Sequence, residues 1–223
     1  DYFTKTLESG QDLLHVCLSS GISGTINSAR NAALIAQERF PDRKIYIVDS
    51  LAASSGFGLL MDKLADLRDK GMDIDELCQW VEQNKLRVHH WFFSSDLTFF
   101  IKGGRISKAA GIFGGLLNIC PLMNVDNLGR LILRKKVRGR KNAIKESLNK
   151  MTKFADNRLN YSDKCYISHS DCYGDAAMLA TLIENTFTNL NGKVEIYDMG
   201  TTMGAHAGPG TVALYFWGDK RKN

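Results

Sequence analysis

Apolar residues in the first part of the chain alternate between short continuous runs and longer stretches with helical spacing. The runs Leu13–Ser20 and Lys44–Val48 each stop at a group of small polar residues, which is typical of a buried strand that ends in a loop. Apolar positions at helical spacing follow each run, in Thr25–Phe40 and in Leu51–Leu67, and Gly71 closes the second helix. This alternation of strands and helices predicts parallel pairing of the two strands through right-handed crossovers.

The pattern changes near residue 87, where strands begin to follow one another directly. Pro121–Val125 and Arg130–Val137 flank the turn Asp126–Gly129 and predict a β-hairpin, because asparagine and glycine supply turn geometry between two β-rich runs. The remaining predicted elements are helices at Ile74–Leu86, Arg140–Asp156 and Ala176–Leu190 and strands at Val88–Phe93, Cys165–His169, Val194–Asp198 and Val212–Trp217. We predict an α/β protein with two lobes. Residues 1–87 form the first lobe, a parallel sheet flanked by helices, and residues 88–223 form the second, a mixed α/β sandwich.

Composition narrows the function classes. With 223 residues, of which 44% are apolar and 24% charged, the chain has the make-up of a globular protein and not of a disordered one. Its net charge of +5 is modest for a protein that binds nucleic acid over a wide face, so we expect no nucleic-acid partner. The basic excess is concentrated in one short run, which suggests either a patch for an anion or acidic partner or a solvated strand end. This basic run consists of Lys135, Lys136, Arg138, Arg140 and Lys141.

Cysteine usage and hydropathy favour an intracellular protein. The five cysteines have no CxxC spacing, and most of them sit in apolar stretches, as buried free thiols in a reducing cytoplasm do. No window of the sequence reaches the roughly 18 consecutive apolar residues of a membrane span. We therefore predict a cytoplasmic protein without a transmembrane segment.

Four segments combine glycine with hydroxyl, imidazole or guanidinium groups at the predicted ends of elements. Ser19–Thr25 follows the first strand and begins a helix, so its backbone N–H groups and hydroxyls suit an anion, although serine and threonine are also ordinary helix caps. In Lys102–Ser107 a double glycine precedes an arginine, which could bind a carboxylate or phosphate or could be a surface side chain. The other two segments are the basic Lys136–Lys141 and Gly204–Gly210, which holds one histidine among small residues.

Several established catalytic motifs are absent from the sequence, which contains no GxxxxGK[ST], GxGxxG, HExxH or GxSxG. His89 and His90 are adjacent, so on a strand they point to opposite faces and cannot chelate one ion, and we predict no metal site. Ser23 and His206 could act as nucleophile and base, with Asp49 orienting the imidazole. A Ser/His hydrolase acting on acyl esters is therefore the alternative to a binding protein. A third alternative is phosphate or nucleotide binding through the basic segments.

Five segments, taken in their order along the chain, resemble the DegV family of bacterial fatty-acid-binding proteins. They are SSGISGT, DLTFFIKGGRIS, LLNICPLMNVD, KVRGRKNA and GAHAGPGTVALYF, and the resemblance covers residues 13–217. It implies a two-lobed α/β protein in which one long-chain fatty acid lies in an apolar tunnel between the lobes. It also implies a protein that is not an enzyme by itself and needs no cofactor. As the acyl-binding subunit of a fatty acid kinase, such a protein presents the carboxylate to a separate ATP-dependent kinase subunit, which forms acyl phosphate for phospholipid synthesis.

Carried over residue by residue, the resemblance implies that Ser23, Gly24 and His206 hold the fatty-acid carboxylate. Arg105 and Arg138 match arginines implicated in the kinase encounter or in binding phosphate. Family members also carry an N-terminal aspartate-serine segment and a TSQP-like turn whose threonine contacts the carboxylate. Neither is present here, so we expect that this chain lacks about the first 60 residues of a family member.

Eight apolar residues would form a natural tunnel wall or would belong to the ordinary core. They are Phe92, Phe93, Phe99, Phe100, Ile112, Phe113, Leu116 and Leu117.

Overall fold

Two β-sheets organise the chain. The structure is a computed structural model that describes residues 1–107 and 118–222. In the smaller sheet, β1 (Leu13–Cys17) and β2 (Ile45–Asp49) run parallel to each other, and the register pairs Val16 with Val48. The parallel pairing predicted from the alternation of strands and helices is therefore confirmed.

The larger sheet consists of β3 (Val88–Phe93), β4 (Ile119–Val125), β5 (Leu131–Arg138), β6 (Tyr166–Ser170), β7 (Glu195–Asp198) and β8 (Thr211–Trp217). These strands lie side by side in the order β5-β4-β3-β8-β6-β7. β3 is antiparallel to both β4 and β8, whereas β6 is parallel to β7, so the sheet is mixed. β4 and β5 form the predicted hairpin, and Asp126–Gly129 form its turn.

Eight α-helices accompany the strands in the described residues. They are α1 (Tyr2–Glu8), α2 (Thr25–Arg39), α3 (Ser54–Asp69), α4 (Ile74–Asn84), α5 (Thr98–Lys102), α6 (Arg140–Phe154), α7 (Tyr173–Thr186) and α8 (Thr201–Ala207). α2 and α4 pack on the smaller sheet, and α3 packs on β3, β6 and β8 of the larger one. The division into lobes at residues 1–87 and 88–223 stays a prediction. None of the helices within residues 1–107 and 118–222 is both long and apolar enough to cross a membrane.

Different elements cover the two faces of the larger sheet. His89 of β3 points toward α6, where its imidazole stacks on the ring of Phe154 and on that of Phe216. The next residue, His90, points to the other face and meets Gly56 of α3. Successive side chains of a strand alternate between its two faces, so the opposite orientation predicted for the two histidines is confirmed.

The predicted elements are present, with their ends shifted by a few residues. α8 was not expected, because Thr201–Ala207 is made of small and polar residues without an apolar period. Its end is marked by Gly208, whose φ of 75° is a backbone conformation that glycine adopts without strain. His206 therefore lies on a short helix, where the sequence suggested only a stretch of small residues.

Gly56 is the residue through which α3 contacts the sheet. A Cβ at Gly56 would overlap the imidazole of His90 and would lie 2.7 Å from the ring of Tyr215. Because both rings are buried, we expect Gly56→Ala to lower the free energy of unfolding by about 1–3 kcal/mol.

The control is Gly58→Ala in the same helix, where a Cβ would have no atom within 4 Å. This change should raise the free energy of unfolding by up to about 1 kcal/mol, since alanine is the better helix former. Urea unfolding followed by circular dichroism measures both variants. An equal effect of the two substitutions would contradict the close approach at Gly56.

Candidate functional site

The face of the larger sheet that α3 covers is also the floor of a cavity of about 150 Å³. His90 and Phe92 of β3 line this floor together with Ala213 and Tyr215 of β8. The loop after β1, the segment from α5 to Arg105, and α8 supply the opposite wall. The cavity therefore lies between one face of the larger sheet and a wall to which the loop after β1 of the smaller sheet and segments after β3 and β7 of the larger sheet contribute.

Three of the predicted site residues, Ser23, Arg105 and His206, line this cavity together. All three are half-buried, so they lie toward the solvent side of the cavity. Gly24 follows Ser23 and is the residue before the first turn of α2. Arg138 is exposed at the end of β5 and is not among the residues that line the cavity in the described part of the chain.

The eight residues of the predicted tunnel wall have different locations. Phe92 and Phe100 line the cavity. Phe93 does not, because strand alternation turns its ring to the opposite face of the sheet, where the guanidinium of Arg140 lies 5.4 Å from the ring centroid. Phe99 is 38% exposed and lies outside the cavity lining. Ile112, Phe113, Leu116 and Leu117 lie outside the described residues.

The loop Ser19–Thr25, called the β1–α2 loop below, is anchored by its first two residues. Ser19 is fully buried, and its hydroxyl donates a hydrogen bond to the carbonyl of Gly129 at 2.8 Å. The backbone N–H of Ser20 donates to the carboxylate of Asp49 at 3.1 Å. Asp49 was proposed from the sequence as a partner for an imidazole; here it instead accepts this backbone bond at the end of β2.

The hairpin turn between β4 and β5 supports the β1–α2 loop from the other side. Gly21 and Gly129 are so close that a Cβ at Gly21 would lie 2.5 Å from the carbonyl oxygen of Gly129. The carboxylate of Asp126 accepts the N–H groups of Leu128 and Arg130, each at 2.9 Å, and two guanidinium N–H groups of Arg130 at 3.0 and 2.8 Å. Burial acts to raise the pKa of Asp126, but these hydrogen bonds outweigh it and hold the pKa below its usual value. The turn is thus built around an ionised carboxylate.

The hydroxyl of Ser23 takes part in a local turn at the start of α2. It donates to the hydroxyl of Thr25 at 3.2 Å and accepts the backbone N–H of Thr25 at 3.3 Å. Ser23 thus makes local turn bonds and also lines the cavity, and its role as a ligand-binding hydroxyl stays a prediction.

Arg105 and His206 bring basic nitrogen atoms to the same end of the cavity. The Nε of Arg105 donates to the carbonyl of Ile22 at 3.2 Å, and Nη1 donates to the carbonyl of Gly103. Within residues 1–107 and 118–222, no carboxylate pairs with Arg105 and the ring of His206 has no hydrogen-bond partner. A Cβ at Gly103 would overlap Nδ1 of His206, so the absence of a side chain makes room for the imidazole. An unpaired cation beside an apolar cavity favours an anionic ligand.

His90, on the floor of the cavity, is a neutral imidazole. Its Nδ1 donates to the carbonyl of Val88 at 3.0 Å, and its Nε2 accepts the N–H of Ala53 at 3.2 Å. Burial lowers the pKa of His90 well below 6.5. Both ring nitrogens are occupied, so His90 shapes the floor without bringing a charge to it.

Two members of the basic run found in the sequence, Lys135 and Arg140, are paired with carboxylates. The guanidinium of Arg140 is half-buried, and its Nε binds the carboxylate of Asp175 at 2.6 Å. The ammonium of Lys135 pairs with Glu146 at 3.0 Å. Arg138 is left exposed at the end of β5. Among the described residues, no group of three or more histidines, cysteines and acidic residues could hold a metal ion.

Sequence reasoning missed the residues that position the site. The turn residue Asp126 was visible only as part of a hairpin turn, and nothing in the pattern linked Gly129 to Ser19, which is far from it in the sequence. Met199 and Met203, which line the cavity, lie in a segment without a regular apolar period. The glycines at 21 and 129 were the one available signal, since paired glycines permit a close approach of two backbones.

Comparison with known protein families identifies the family of this chain. The family model described as "Uncharacterised protein, DegV family" matches residues 1–218. The chain belongs to the DegV family. A DegV domain-containing protein of Clostridium perfringens is 36% identical over 220 residues, which are 99% of this chain and 74% of that protein. Another, from Lactococcus lactis, is 35% identical over 217 residues, or 96% of this chain and 73% of that protein. The family predicted from five segments of the sequence is confirmed.

Solved structures of DegV proteins have the same fold. The Fatty Acid Kinase (Fak) B3 protein of Streptococcus pneumoniae, loaded with linoleic acid, matches with a TM-score of 0.85 at 26% identity, over 97% of this chain and 75% of that one. A DegV family protein of Thermus thermophilus, described for its fatty acid binding, matches with a TM-score of 0.83 at 25% identity, over 98% of this chain and 75% of that one. The predicted α/β fold, with one parallel sheet and one mixed sheet, is confirmed.

The histidine of β3 on the face opposite the cavity makes the stability of this DegV protein depend on pH. Burial lowers the pKa of His89 from 6.5 to about 4. Above pH 6.5 the ring is neutral in both the folded and the unfolded chain. As the pH falls toward 4, the unfolded chain binds a proton that the folded chain does not, so about 3 kcal/mol of stability is lost in this window.

Urea unfolding at a series of pH values between 7 and about 4 measures this loss against the variant His89→Phe, which keeps an aromatic ring between its neighbours and does not titrate. We expect the variant to lose less stability across the window than the wild type. The same pH slope in both proteins would show that His89 is not the group responsible.

Proposed function

We propose that this chain binds one long-chain fatty acid in the cavity and presents its carboxylate to a separate ATP-dependent kinase subunit, which forms acyl phosphate. The observation that carries the proposal is a cavity with mostly apolar walls that ends at Ser23, Arg105 and His206. Each CH₂ group of an acyl chain removed from water contributes about 0.8 kcal/mol, so an apolar cavity favours a long tail. This cavity is our proposal for the ligand tunnel, and the lobes at residues 1–87 and 88–223 are proposed as its two sides.

The polar end suits a carboxylate in particular. A carboxylate has no hydrogen to donate, so beside apolar walls it stays ionised only where N–H and O–H groups surround it. We assign these contacts to the backbone of Gly24, the ring of His206 and the hydroxyl of Ser23, whose hydrogen would turn from Thr25 to the bound carboxylate. Arg105 adds a positive charge next to them, and its remaining guanidinium N–H groups are available to the phosphoryl group that the carboxylate receives.

Two related structures support the ligand and the partner. The Fak B3 protein of Streptococcus pneumoniae, 26% identical to this chain, is loaded with linoleic acid, and the Thermus thermophilus protein is described for fatty acid binding. Fak B3 is by its name part of a fatty acid kinase. We therefore propose the same division of labour here: this chain binds the acid and a kinase subunit in the cytoplasm transfers the phosphoryl group.

The site gives no support to the alternative, a Ser/His hydrolase. A serine nucleophile needs a base within hydrogen-bond reach. The hydroxyl of Ser23 is bonded to Thr25, and within the described residues the ring of His206 is bonded to no serine and to no acidic side chain that would orient it.

We expect Ser23→Ala and His206→Ala each to weaken the binding of palmitate about tenfold or more, because each removes one hydrogen bond to a charged group. Gly103→Ala should weaken it as well, since the added methyl group displaces the imidazole of His206. Titration calorimetry with delipidated protein measures the affinities, and native mass spectrometry of protein purified from cells should show a bound fatty acid.

Two matched controls test whether these losses belong to the site. Ser28→Ala removes an exposed hydroxyl from α2, and Gly204→Ala adds a methyl group to α8 where the nearest atom would be 3.8 Å away. Both variants should bind palmitate like the wild type. A wild-type protein that carries no lipid from cells and ignores added palmitate would end the proposal.

The two arginines should act on phosphoryl transfer and not on lipid binding. We expect Arg105→Ala and Arg138→Ala to bind palmitate within about threefold of the wild type but to lower acyl-phosphate formation with a bacterial fatty acid kinase subunit and ATP about tenfold. Trapping the acyl phosphate with hydroxylamine measures the rate. Arg68→Ala, which removes an exposed arginine of α3, is the control. An Arg105 variant that loses lipid but keeps its coupling to the kinase would refute this division of roles.

A further inference from the structure

Four hydroxyl groups lie close together at one wall of the cavity, apart from its polar end at Ser23, Arg105 and His206. The hydroxyl of Ser168 on β6 lies 2.7 Å from that of Ser55 and 3.3 Å from that of Ser54, both in the first turn of α3. The phenol of Tyr215 on β8 lies close to the hydroxyls of Ser168 and Ser54. Ser54 and Tyr215 line the cavity, and Ser168 is fully buried behind them. We call Ser54, Ser55, Ser168 and Tyr215 the hydroxyl cluster.

The hydroxyl cluster lies further along β8 than the end of the cavity that α8 lines. At one end of the floor, the hydroxyl of Thr211 donates to the carbonyl of Ala207 at 2.9 Å, next to His206 on α8. Tyr215 lies four residues further along β8, which is about 13 Å in an extended strand. It faces α3 there, where it meets Gly56. The cavity thus has one polar end with cationic and imidazole nitrogens and a second polar region with hydroxyl groups only.

The chemistry of the second region differs from that of the first. Each hydroxyl has one hydrogen to donate and two lone pairs to accept, so a group made of hydroxyls alone retains more acceptor sites than hydrogens. Where the hydrogens are used in bonds within the cluster, the group offers a ligand mainly lone pairs, so it suits a ligand O–H better than a carboxylate, which has no hydrogen to donate. A plain methylene chain would leave the remaining acceptor sites of Ser54 and Tyr215 facing hydrocarbon.

The backbone holds Ser54 in an unusual conformation. Its φ of 53° lies in the left-handed region, which a residue with a side chain adopts at a cost that glycine avoids. Ser54 also lines an outer groove together with Met199 and Met203, and all three line the cavity as well. The wall next to the hydroxyl cluster is therefore thin and contains two flexible thioether side chains, which adapt readily to a substituent on the acyl chain.

We propose that the preferred ligand is a long-chain acid that carries a hydroxyl group on its tail, and that Ser54 and Tyr215 bind this hydroxyl. The inference rests on the proposed fatty-acid site and adds the substrate class to it. Tyr215 and Ser54 then determine specificity, while Ser23 and His206 hold the carboxylate at the other end. The acid would be the product of a reaction that hydrates or hydroxylates an acyl chain.

The test compares stearic acid with stearic acids that each carry one hydroxyl group, at positions from the middle of the chain to its last carbon. Titration calorimetry with delipidated protein gives the affinity for each. We expect at least one hydroxy acid to bind more tightly than stearic acid. Tyr215→Phe should lower the affinity for that acid about three- to tenfold, as expected for one neutral hydrogen bond, and should leave the affinity for stearic acid unchanged or higher.

Two further variants keep the test independent of folding. Ser54→Gly removes a hydroxyl and suits the left-handed backbone, so it should lower the affinity for the hydroxy acid without lowering the melting temperature. Tyr166→Phe is the matched control: it removes a phenol from β6 at the position paired with Tyr215, in the outer groove, and should bind every acid like the wild type.

The outcomes separate the two proposals. If no acid binds at all, the proposed function fails. If stearic acid binds but every hydroxy acid binds more weakly, or if Tyr215→Phe and Ser54→Gly change all affinities equally, the fatty-acid site stands and the preference for a hydroxylated tail is refuted.

Discussion

The backbone of the β1–α2 loop lies directly against the backbone of the β4–β5 hairpin turn, with glycine on both sides. A Cβ at Gly21 would come within 2.5 Å of the turn, and one at Gly129 would overlap the hydroxyl of Ser19. The buried hydrogen bond from Ser19 to Gly129 crosses the same contact. Because the loop belongs to the smaller sheet and the turn to the larger one, this contact determines where Ser23 stands above the floor of the cavity. The ionised carboxylate of Asp126 keeps the turn in the shape that the contact requires.

The positive charge that lines the cavity, that of Arg105, lies at one end, and the floor is neutral. On the floor, His90 has both ring nitrogens bonded within the protein and is neutral, and the phenol of Tyr215 has its pKa raised by burial and is neutral as well. A charge at either position would require solvation that apolar walls do not supply. The polar end of the cavity, with Ser23, Arg105 and His206, is therefore the feature that would orient an amphiphilic ligand. In the proposed complex the carboxylate of the acid lies at Ser23 and His206 and its tail extends toward the hydroxyl cluster.

The local spacing of apolar residues predicted the elements of this fold well, because the burial of an element directly determines which of its positions are apolar. β8 is buried along its full length and is apolar in the sequence except for Thr211, and the hairpin turn carries its own asparagine and glycine. α8 was missed because a helix of small residues has no apolar period. Partners distant in the sequence were also invisible: Arg138 and Arg140 look alike in the basic run, but Asp175 binds only the second. The sequence identified the site residues on loops as candidates. It could not show that they lie together, because this depends on the contact between Gly21 and Gly129.

The arrangement of the polar end is the reason why we propose binding and not turnover for this site. A hydrolase needs a nucleophile made more reactive by a base, and it needs donors aimed at the oxygen that becomes charged during the reaction. In the described part of the chain no base bonds to the hydroxyl of Ser23, so this hydroxyl lacks activation, and we propose that Ser23 and His206 instead offer donors to an anion that is already present in the ground state. Such a site would stabilise a carboxylate and leave it unreacted. Because Ser23, Arg105 and His206 are half-buried, the carboxylate of the proposed complex would lie next to solvent, where a second protein could reach its oxygen atoms while the tail stays enclosed.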